Sequence, residues 1–339
     1  MKVAMFSTKS YTRRFMDDAN GDHGHEITYL EARLSGESAR LAEGHDAVCA
    51  FVNDDVNAEV LNAFHGMGVR IVALRSAGYN NVDLETARDL GLCVCRVPAY
   101  SPHAVAEHAV GLMLALNRRI HRAHQRVREW NFSLEGLLGF DMRGKTVGVV
   151  GTGRIGVAVL QVLAGFGCEL IAFDPKPNPD AEEAGARYVA LEELFRGSDV
   201  ITLHCPLTPE THHLVDWDAI TTMKRGVMIV NTSRGAIVDT KAAIAGLKTK
   251  RIGYLGLDVY EEEEGLFFED LSNQVIQDDT FARLLTFPNV IVTAHQAYFT
   301  EDALRNIAET TLGNLTAYGR DGTCANSVLL EDVKATSGS

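Results

Sequence analysis

Gly151-Thr152-Gly153-Arg154-Ile155-Gly156 is a G-x-G-x-x-G run whose setting gives it chemical meaning. It follows the β-type run Thr146–Val150 and opens a helical stretch through Phe166. A strand, a glycine turn and a helix in that order present backbone amides and a positive dipole end to a pyrophosphate. Gly151 suits the tight turn, Gly153 the close approach of backbone to phosphate, and Gly156 the packing of helix on strand. Arg154 and Ile155 complete the loop. Asp174 closes the next β-type run, 18 residues after Gly156, where a carboxylate accepts from ribose hydroxyls and repels a 2′-phosphate. The pattern points to NAD rather than NADP, with Lys176 nearby to soften the preference.

Three further segments carry unusual polar residues after apolar runs. Asn231-Thr232-Ser233-Arg234-Gly235 follows Val227–Val230, Asp258-Val259-Tyr260-Glu261-Glu262-Glu263 follows Leu255-Gly256-Leu257, and His295-Gln296-Ala297-Tyr298 follows Val290–Ala294. Ligands of an open parallel sheet bind at the carboxyl ends of its strands, so these segments should converge beside a nicotinamide. An arginine, a glutamate and a histidine meeting there suit carbonyl reduction. Glu261–Glu264 as a run of carboxylates reads by default as a solvated loop.

The elements that must position these residues alternate between β-type and helical patterns. Lys2–Phe6, Ala47–Val52, Arg70–Leu74 and Leu92–Val97 read as strands, with helices over Asn57–His65 and Asp83–Leu90. Ser101-Pro102 opens a long helix whose apolar positions Val105, Ala109, Leu112, Leu116 and Ile120 share a face. Its length and place suggest a bridge between two domains. From Lys145 a second series supplies strands Thr146–Val150, Glu169–Phe173, Val200–His204, Val227–Asn231, Ile252–Asp258 and Val290–Thr293. Six strands with intervening helices match a doubly wound dinucleotide fold. Thr300–Tyr318 reads as a final amphipathic helix and Ala335–Ser339 as a loose tail. The fold class is α/β, with two doubly wound parallel sheets.

Composition narrows the partners. The 339 residues include 32 Lys+Arg against 45 Asp+Glu, a net charge of −13, which disfavours nucleic acid. Apolar runs are too short to span a membrane, and Val3–Phe6 is too short for a secretory apolar core. Six scattered cysteines read as reduced thiols, so a cytoplasmic location is expected. Cys93 and Cys95 should share one strand face as small buried residues. No Cys/His spacing suggests a metal, and His23-x-His25 and His121-x-x-His124 read as solvated surface pairs.

The motifs together carry a family resemblance. GTGRIG, NTSRG, LDVYEEE and HQAYFT resemble those of the D-isomer-specific 2-hydroxyacid dehydrogenases. RSAGYNNVD (Arg75–Asp83), VPAYSP (Val97–Pro102), LFFED (Leu266–Asp270) and VIQDDTF (Val275–Phe281) are most similar to the bacterial D-lactate dehydrogenases within that family. The likeness runs from Met1 to about Val333. It implies a Rossmann cofactor domain (101–298) inserted in a flavodoxin-like substrate domain (1–100 and 299–339), acting on pyruvate or D-lactate with NAD. A homo-oligomer, dimer or tetramer, is the expected assembly.

Carried over by position, the resemblance makes Arg234 the binder of the substrate carboxylate and His295 the acid/base. Glu263 becomes the histidine's carboxylate partner. The family places that glutamate five residues after the aspartate, which selects Glu263 from its neighbours. Asp258 matches the residue that positions the nicotinamide carboxamide, and Thr232, Ser233 and His204-Cys205-Pro206 lie with the cofactor. Ser76-Ala77-Gly78 resembles a loop whose amides bind the substrate carboxylate, and Tyr100 and Tyr298 match tyrosines near the substrate side chain. Glu262 stands where many relatives have proline, and Phe299 follows Tyr298 at a variable position bearing on pocket size. A preference for a bulkier 2-keto acid such as phenylpyruvate, and an NAD(H)-sensing regulator without turnover, are the competing readings.

Overall fold

The structure, a computed structural model, describes residues 1–263, 265–268 and 270–328. The chain divides into two compact units, one of Met1–Ser101 with the segment from Tyr298 onward, the other of Pro102–Ala297. The Ala335–Ser339 tail and Glu264 of the carboxylate run lie outside the described residues.

In the first unit the chain runs β1 (Lys2–Met5), α1 (Ser10–Asn20), β2 (Glu26–Tyr29), β3 (Ala47–Ala50), α2 (Ala58–Gly66), β4 (Ile71–Leu74), α3 (Leu84–Asp89) and β5 (Cys93–Cys95). The five strands form one parallel sheet in the order β2-β1-β3-β4-β5, the flavodoxin-like order. β3 and β4 are buried at every residue, which is why they read as continuous apolar runs. Asn57 and Asp83 cap α2 and α3 by accepting from the amides of Val60 and Thr86. The sequence reading passes over α1 and β2. α1 buries only Thr12, Phe15 and Met16 and has no side-chain cap, and β2 is a polar edge strand.

The second unit runs α4 (Pro102–Asn117), α5 (Ile120–Arg128), β6 (Thr146–Val150), α6 (Arg154–Gly165), β7 (Glu169–Phe173), α7 (Pro179–Glu183), β8 (Arg187–Tyr188), α8 (Leu191–Gly197), β9 (Val200–Leu203), α9 (Trp217–Thr222), β10 (Val227–Asn231), α10 (Thr240–Lys248), β11 (Ile252–Leu257), α11 (Asp279–Leu285) and β12 (Val290–Val292). Its parallel sheet has the order β12-β11-β10-β9-β6-β7-β8, with β8 a short strand beyond the six expected. α4 packs on α6 and against β10 and β11, so it is a core helix of this unit rather than a bridge. It also stops earlier than its periodicity suggests. Arg119 adopts a left-handed φ of 51°, and the basic continuation becomes the separate α5, which buries no residue.

Alternate residues of the sheet face two cores. Val147, Val149, Met228 and Val230 pack beneath α4 and α6, whereas Ile201, Leu203, Ile229 and Leu255 pack with α8 and α10. Cutting a fully buried side chain such as Leu160 back to alanine costs about 2–5 kcal/mol. The final helix, α12 (Glu301–Asp321), belongs to the first unit, is capped by Thr300 and packs on α1.

Two polar expectations change. His25 is buried rather than solvated, with Nε2 3.0 Å from Thr316 Oγ1, and His23 Nδ1 lies 2.8 Å from the same hydroxyl. Glu261 is likewise no solvated carboxylate: it engages His213 Nε2 at 2.5 Å and the Thr240 amide at 3.2 Å. Of the cysteine pair on β5, Cys95 is fully buried and Cys93 partly exposed.

Candidate active site

The second unit's strands end in register. Phe173 pairs with Val150, Val150 with Leu203, Leu203 with Asn231, Asn231 with Leu257 and Leu257 with Val292. The residues that follow are Asp174, Gly151, His204, Thr232, Asp258 and Thr293, so most of the proposed cofactor residues stand in one row along the carboxyl edge. The ladder continues one step into this row: Gly151, His204, Asp258 and Thr293 donate amides to Phe173, Val150, Asn231 and Leu257, at 2.8–2.9 Å. The strand order reverses between β9 and β6, and the glycine loop sits at that switch point.

The loop has the shape a pyrophosphate requires. Gly151 has φ 92°, and a Cβ there would lie 2.6 Å from the Cys205 amide nitrogen; a Cβ on Gly156 would lie 2.0 Å from Gly151 O. At Gly153 a Cβ would meet nothing within 4 Å, which leaves open space over the N-terminus of the 12-residue α6. Asp174 accepts the Thr152 amide at 2.8 Å and the Lys176 amide at 2.9 Å, fastening the loop to the end of β7. Tyr188 and Asn178, unnoticed in the sequence, hold Thr152 from the other side through its hydroxyl and carbonyl. His204 Nδ1 and Thr232 Oγ1 are sealed from solvent without a partner among the described residues, as polar atoms beside a dinucleotide would be. Burial pushes the His204 imidazole down to about 4, so it stays neutral near pH 7. Cys205 is buried, its thiol pushed up to about 12 by burial, and its carbonyl accepts from Ser233 Oγ at 2.5 Å. This cradle fits NAD.

The three catalytic candidates follow β10, β11 and β12, neighbours in the sheet. Arg234 is partly exposed, with Nη1 donating to Ser233 O at 2.7 Å; Asn231 braces its carbonyl at 2.8 Å. Gly235 lets this segment lie on the next one. A Cβ there would fall 2.0 Å from Tyr260 O and 2.4 Å from Glu261 N, so any side chain would force the loops apart. Glu263 folds back so that Oε2 accepts the Tyr260 amide at 3.0 Å, while Oε1 lies 2.8 Å from His295 Nδ1. With the carboxylate at Nδ1, Nε2 is the ring nitrogen left open to a ligand, and it bonds to no described residue. Phe268 flanks the imidazole with ring centroids 5.7 Å apart.

Asp258 underpins the histidine. It is fully buried and accepts from Thr293 Oγ1 (2.5 Å), the Gln296 amide (2.9 Å) and the Ala297 amide (2.8 Å), with His108 Nε2 at 3.4 Å. Burial works to raise its pKa, but these donors outweigh it and hold the carboxyl below its usual range. Asp258 O also accepts the amide of His295, which has φ 51°. His108 and His213, neither flagged by any motif, thus brace the loops on either side of the candidates. His213 donates its amide to Ala236 O at 2.8 Å and pairs with Glu261, clipping the Arg234 loop to the Glu263 loop.

The remaining substrate candidates lie in the first unit. Around Ser76-Ala77-Gly78, the carbonyls accept from Val97 N, Arg96 Nη1 and Ser76 Oγ, and Ala77 and Gly78 donate no amide bond to any described residue. Two free amides suit an anion. Tyr298, drawn with the cofactor domain from sequence, sits with the first unit because its ring packs on Phe51 and Tyr100. Burial raises the pKa of its hydroxyl. Tyr100 anchors to α12 through its carbonyl, which accepts Asn306 Nδ2 at 2.6 Å. Among the described residues no group of His, Cys, Asp and Glu could hold a metal, and no helix is long and apolar enough to cross a membrane.

Comparison with known proteins agrees with this architecture. D-lactate dehydrogenase from Escherichia coli (strain K12) is 56% identical over 329 residues, which cover 97% of this chain and 100% of that protein. A "2-hydroxyacid dehydrogenase homolog" of Haemophilus influenzae is 56% identical over 97% of this chain and 99% of its own. Among solved structures, the apo form of the Escherichia coli D-lactate dehydrogenase superposes with a TM-score of 0.89 at 52% identity, over 97% of this chain and 100% of that one. The NAD-complexed D-isomer specific 2-hydroxyacid dehydrogenase of Lactobacillus delbrueckii ssp. bulgaricus gives 0.80 at 28% identity, over 97% and 100%. Residues 110–297 match the family model "D-isomer specific 2-hydroxyacid dehydrogenase, NAD binding domain", and the chain belongs to that family, with NAD as its cofactor.

Proposed function

We propose that this protein reduces pyruvate to D-lactate with NADH, reversibly. The observation that carries the reading is the His295–Glu263 pair, with Oε1 2.8 Å from Nδ1, on loops beside Arg234 and the glycine cradle. The guanidinium of Arg234 holds the keto acid's carboxylate and polarises the neighbouring carbonyl. Nε2 of His295 gives a proton to the carbonyl oxygen and takes it back in the oxidative direction, while Glu263 holds the ring. The chemistry supplied by the bound nicotinamide is hydride transfer to or from the substrate's C2. Gly151, Gly153 and Gly156 with the α6 amides hold the pyrophosphate, Asp174 the ribose, and Asp258, Thr232, Ser233 and His204–Pro206 the nicotinamide end. Ser76, Ala77, Gly78, Tyr100 and Tyr298 complete substrate recognition in this reading. The likeness to D-lactate dehydrogenases supports pyruvate as substrate.

The reading extends to a cytoplasmic homo-oligomer. Trp130, Leu134 and Leu138 are each more than 80% exposed in one short segment, which supports an assembly that covers them. Light scattering of the purified protein tests this, and a monodisperse monomer overturns it. The activity is tested by NADH oxidation across a panel of 2-keto acids, followed by chiral analysis of the product. Turnover with highest kcat/KM on pyruvate and D-lactate as product is expected. A preference for phenylpyruvate selects a bulkier substrate, and tight NADH binding with no turnover makes the protein a sensor.

A further inference from the structure

All six cysteines are free thiols, and the dehydrogenase reading uses none of their sulfurs. Two of them meet in the first unit. β5 is the outer strand of its sheet, and the chain beyond α12 returns alongside it: Val328 N donates to Val94 O at 2.8 Å, Arg96 N donates to Asn326 O at 3.1 Å, and Cys95 bridges Ser327 in antiparallel fashion. A tight turn closes this segment, with the Ser327 amide and hydroxyl both donating to Cys324 O, at 3.2 and 2.8 Å. The turn swings the Cys324 side chain onto Cys95.

The sulfur of Cys324 accepts the Asn326 amide at 3.4 Å, with the Cys95 thiol beside it. A sulfur that accepts a hydrogen bond is stabilised as thiolate, which is the nucleophilic form. Those contacts draw the Cys324 thiol down to about 6, while Cys95, the donor, moves up. Cys324 keeps 7% of its surface exposed and Cys95 none, so a small oxidant meets Cys324 first. Cys93 is different: it is more exposed, but burial of its thiol pushes it up to about 11.

We propose that Cys95 and Cys324 are a redox-modification site, closing a reversible disulfide that ties residues 324–328 covalently to β5. With hydrogen peroxide as oxidant, the Cys324 thiolate attacks one peroxide oxygen. The O–O bond breaks, Cys324 becomes a sulfenic acid, and hydroxide leaves to be protonated to water. The Cys95 sulfur then attacks the Cys324 sulfur, the S–O bond breaks, and a second water departs with the Cys95 proton. Two thiols lose two electrons in all, one peroxide is reduced to two waters, and a dithiol reductant reverses the change. Two cysteines on segments already paired through their backbones need side-chain rotation, not transport of backbone, to close the bond.

The experiment treats the full chain with hydrogen peroxide, blocks remaining thiols under denaturing conditions, and counts and maps them by mass spectrometry. The expected result is a fall from six labelled thiols to four, a linked peptide pair holding Cys95 and Cys324, and recovery of six after dithiothreitol. Cys95→Ser should leave Cys324 as a sulfenic acid trapped by dimedone, with no cross-link. Cys93→Ser should cross-link as the parent does. Six unchanged thiols in the parent, a cross-link that contains Cys93, or a cross-link that survives Cys95→Ser overturns the proposal. These readouts require no turnover, so failure here leaves the dehydrogenase reading standing, and the reverse also holds.

Discussion

Nδ1 of His295 lies 2.8 Å from Oε1 of Glu263, and the other oxygen of that carboxylate is held by the Tyr260 amide. The backbone thus sets where the negative charge stands, and the imidazole is aimed by it. Glu263→Gln keeps the size but removes the carboxylate that aims the ring. The kcat/KM for pyruvate near neutrality should fall about 10–100-fold. Steady-state rates check this. An unchanged kcat/KM removes Glu263 from the mechanism.

Arg234 presents a planar fork, and an ammonium cannot reproduce two parallel bonds to a carboxylate. Arg234→Lys should lower kcat/KM for pyruvate by about 100–1,000-fold while NADH binding, followed by fluorescence titration, stays near normal. Retention of most activity would count against the assignment.

Gly235→Ala puts a methyl group 2.0 Å from Tyr260 O, backbone against backbone. Relief requires the Arg234 and Glu263 loops to part, so both stability and turnover should suffer. We expect a loss of about 2–4 kcal/mol in urea unfolding and at least a tenfold fall in kcat. A midpoint equal to the parent's would show that the loops give way freely.

Asp174 accepts the Thr152 and Lys176 amides and still borders the place expected for the ribose. Asp174→Ala removes the charge that repels a 2′-phosphate. The NADPH-to-NADH ratio of kcat/KM should rise by about tenfold or more, together with a small loss of thermal stability from the orphaned Thr152 amide. An unaltered ratio rejects the ribose assignment.

His204 titrates near 4 in the folded chain because its ring is desolvated, against about 6.5 unfolded. Below about 6.5 the unfolded chain takes up a proton that the native imidazole refuses, so acid drains native stability between those two values. The residue as a whole is partly exposed although Nδ1 is sealed, so the effect is discounted to about 1–2 kcal/mol between pH about 7.5 and 5. His204→Gln should lose that much less stability over the same interval when unfolding is measured without NADH. Equal losses would show that His204 does not titrate as described.

What the sequence determined by itself follows from local physics. Thr146–Val150, Glu169–Phe173 and Val227–Asn231 are legible to the residue because strands of a parallel sheet covered on both faces are continuous apolar runs. The glycine loop is legible because each glycine answers a steric demand within six residues, and Thr300 marks the start of α12 by capping it. Elements with few buried residues and no side-chain cap, such as α1, and the break at Arg119 carried no such signal.

Tertiary structure decided what depends on partners far apart in the chain. Spacing alone cannot sort the carboxylates after Asp258. In the fold Glu261 turns to His213 and Glu263 to His295, because β10, β11 and β12 end in register and bring their loops side by side. His108 reaches Thr293 and Asp258 only when α4 lies across β11, and Cys95 finds Cys324 only when the chain beyond α12 returns along β5. Hydrogen bonds act over about 3 Å of space and ignore separation along the chain, so such pairings become readable only once the backbone is folded.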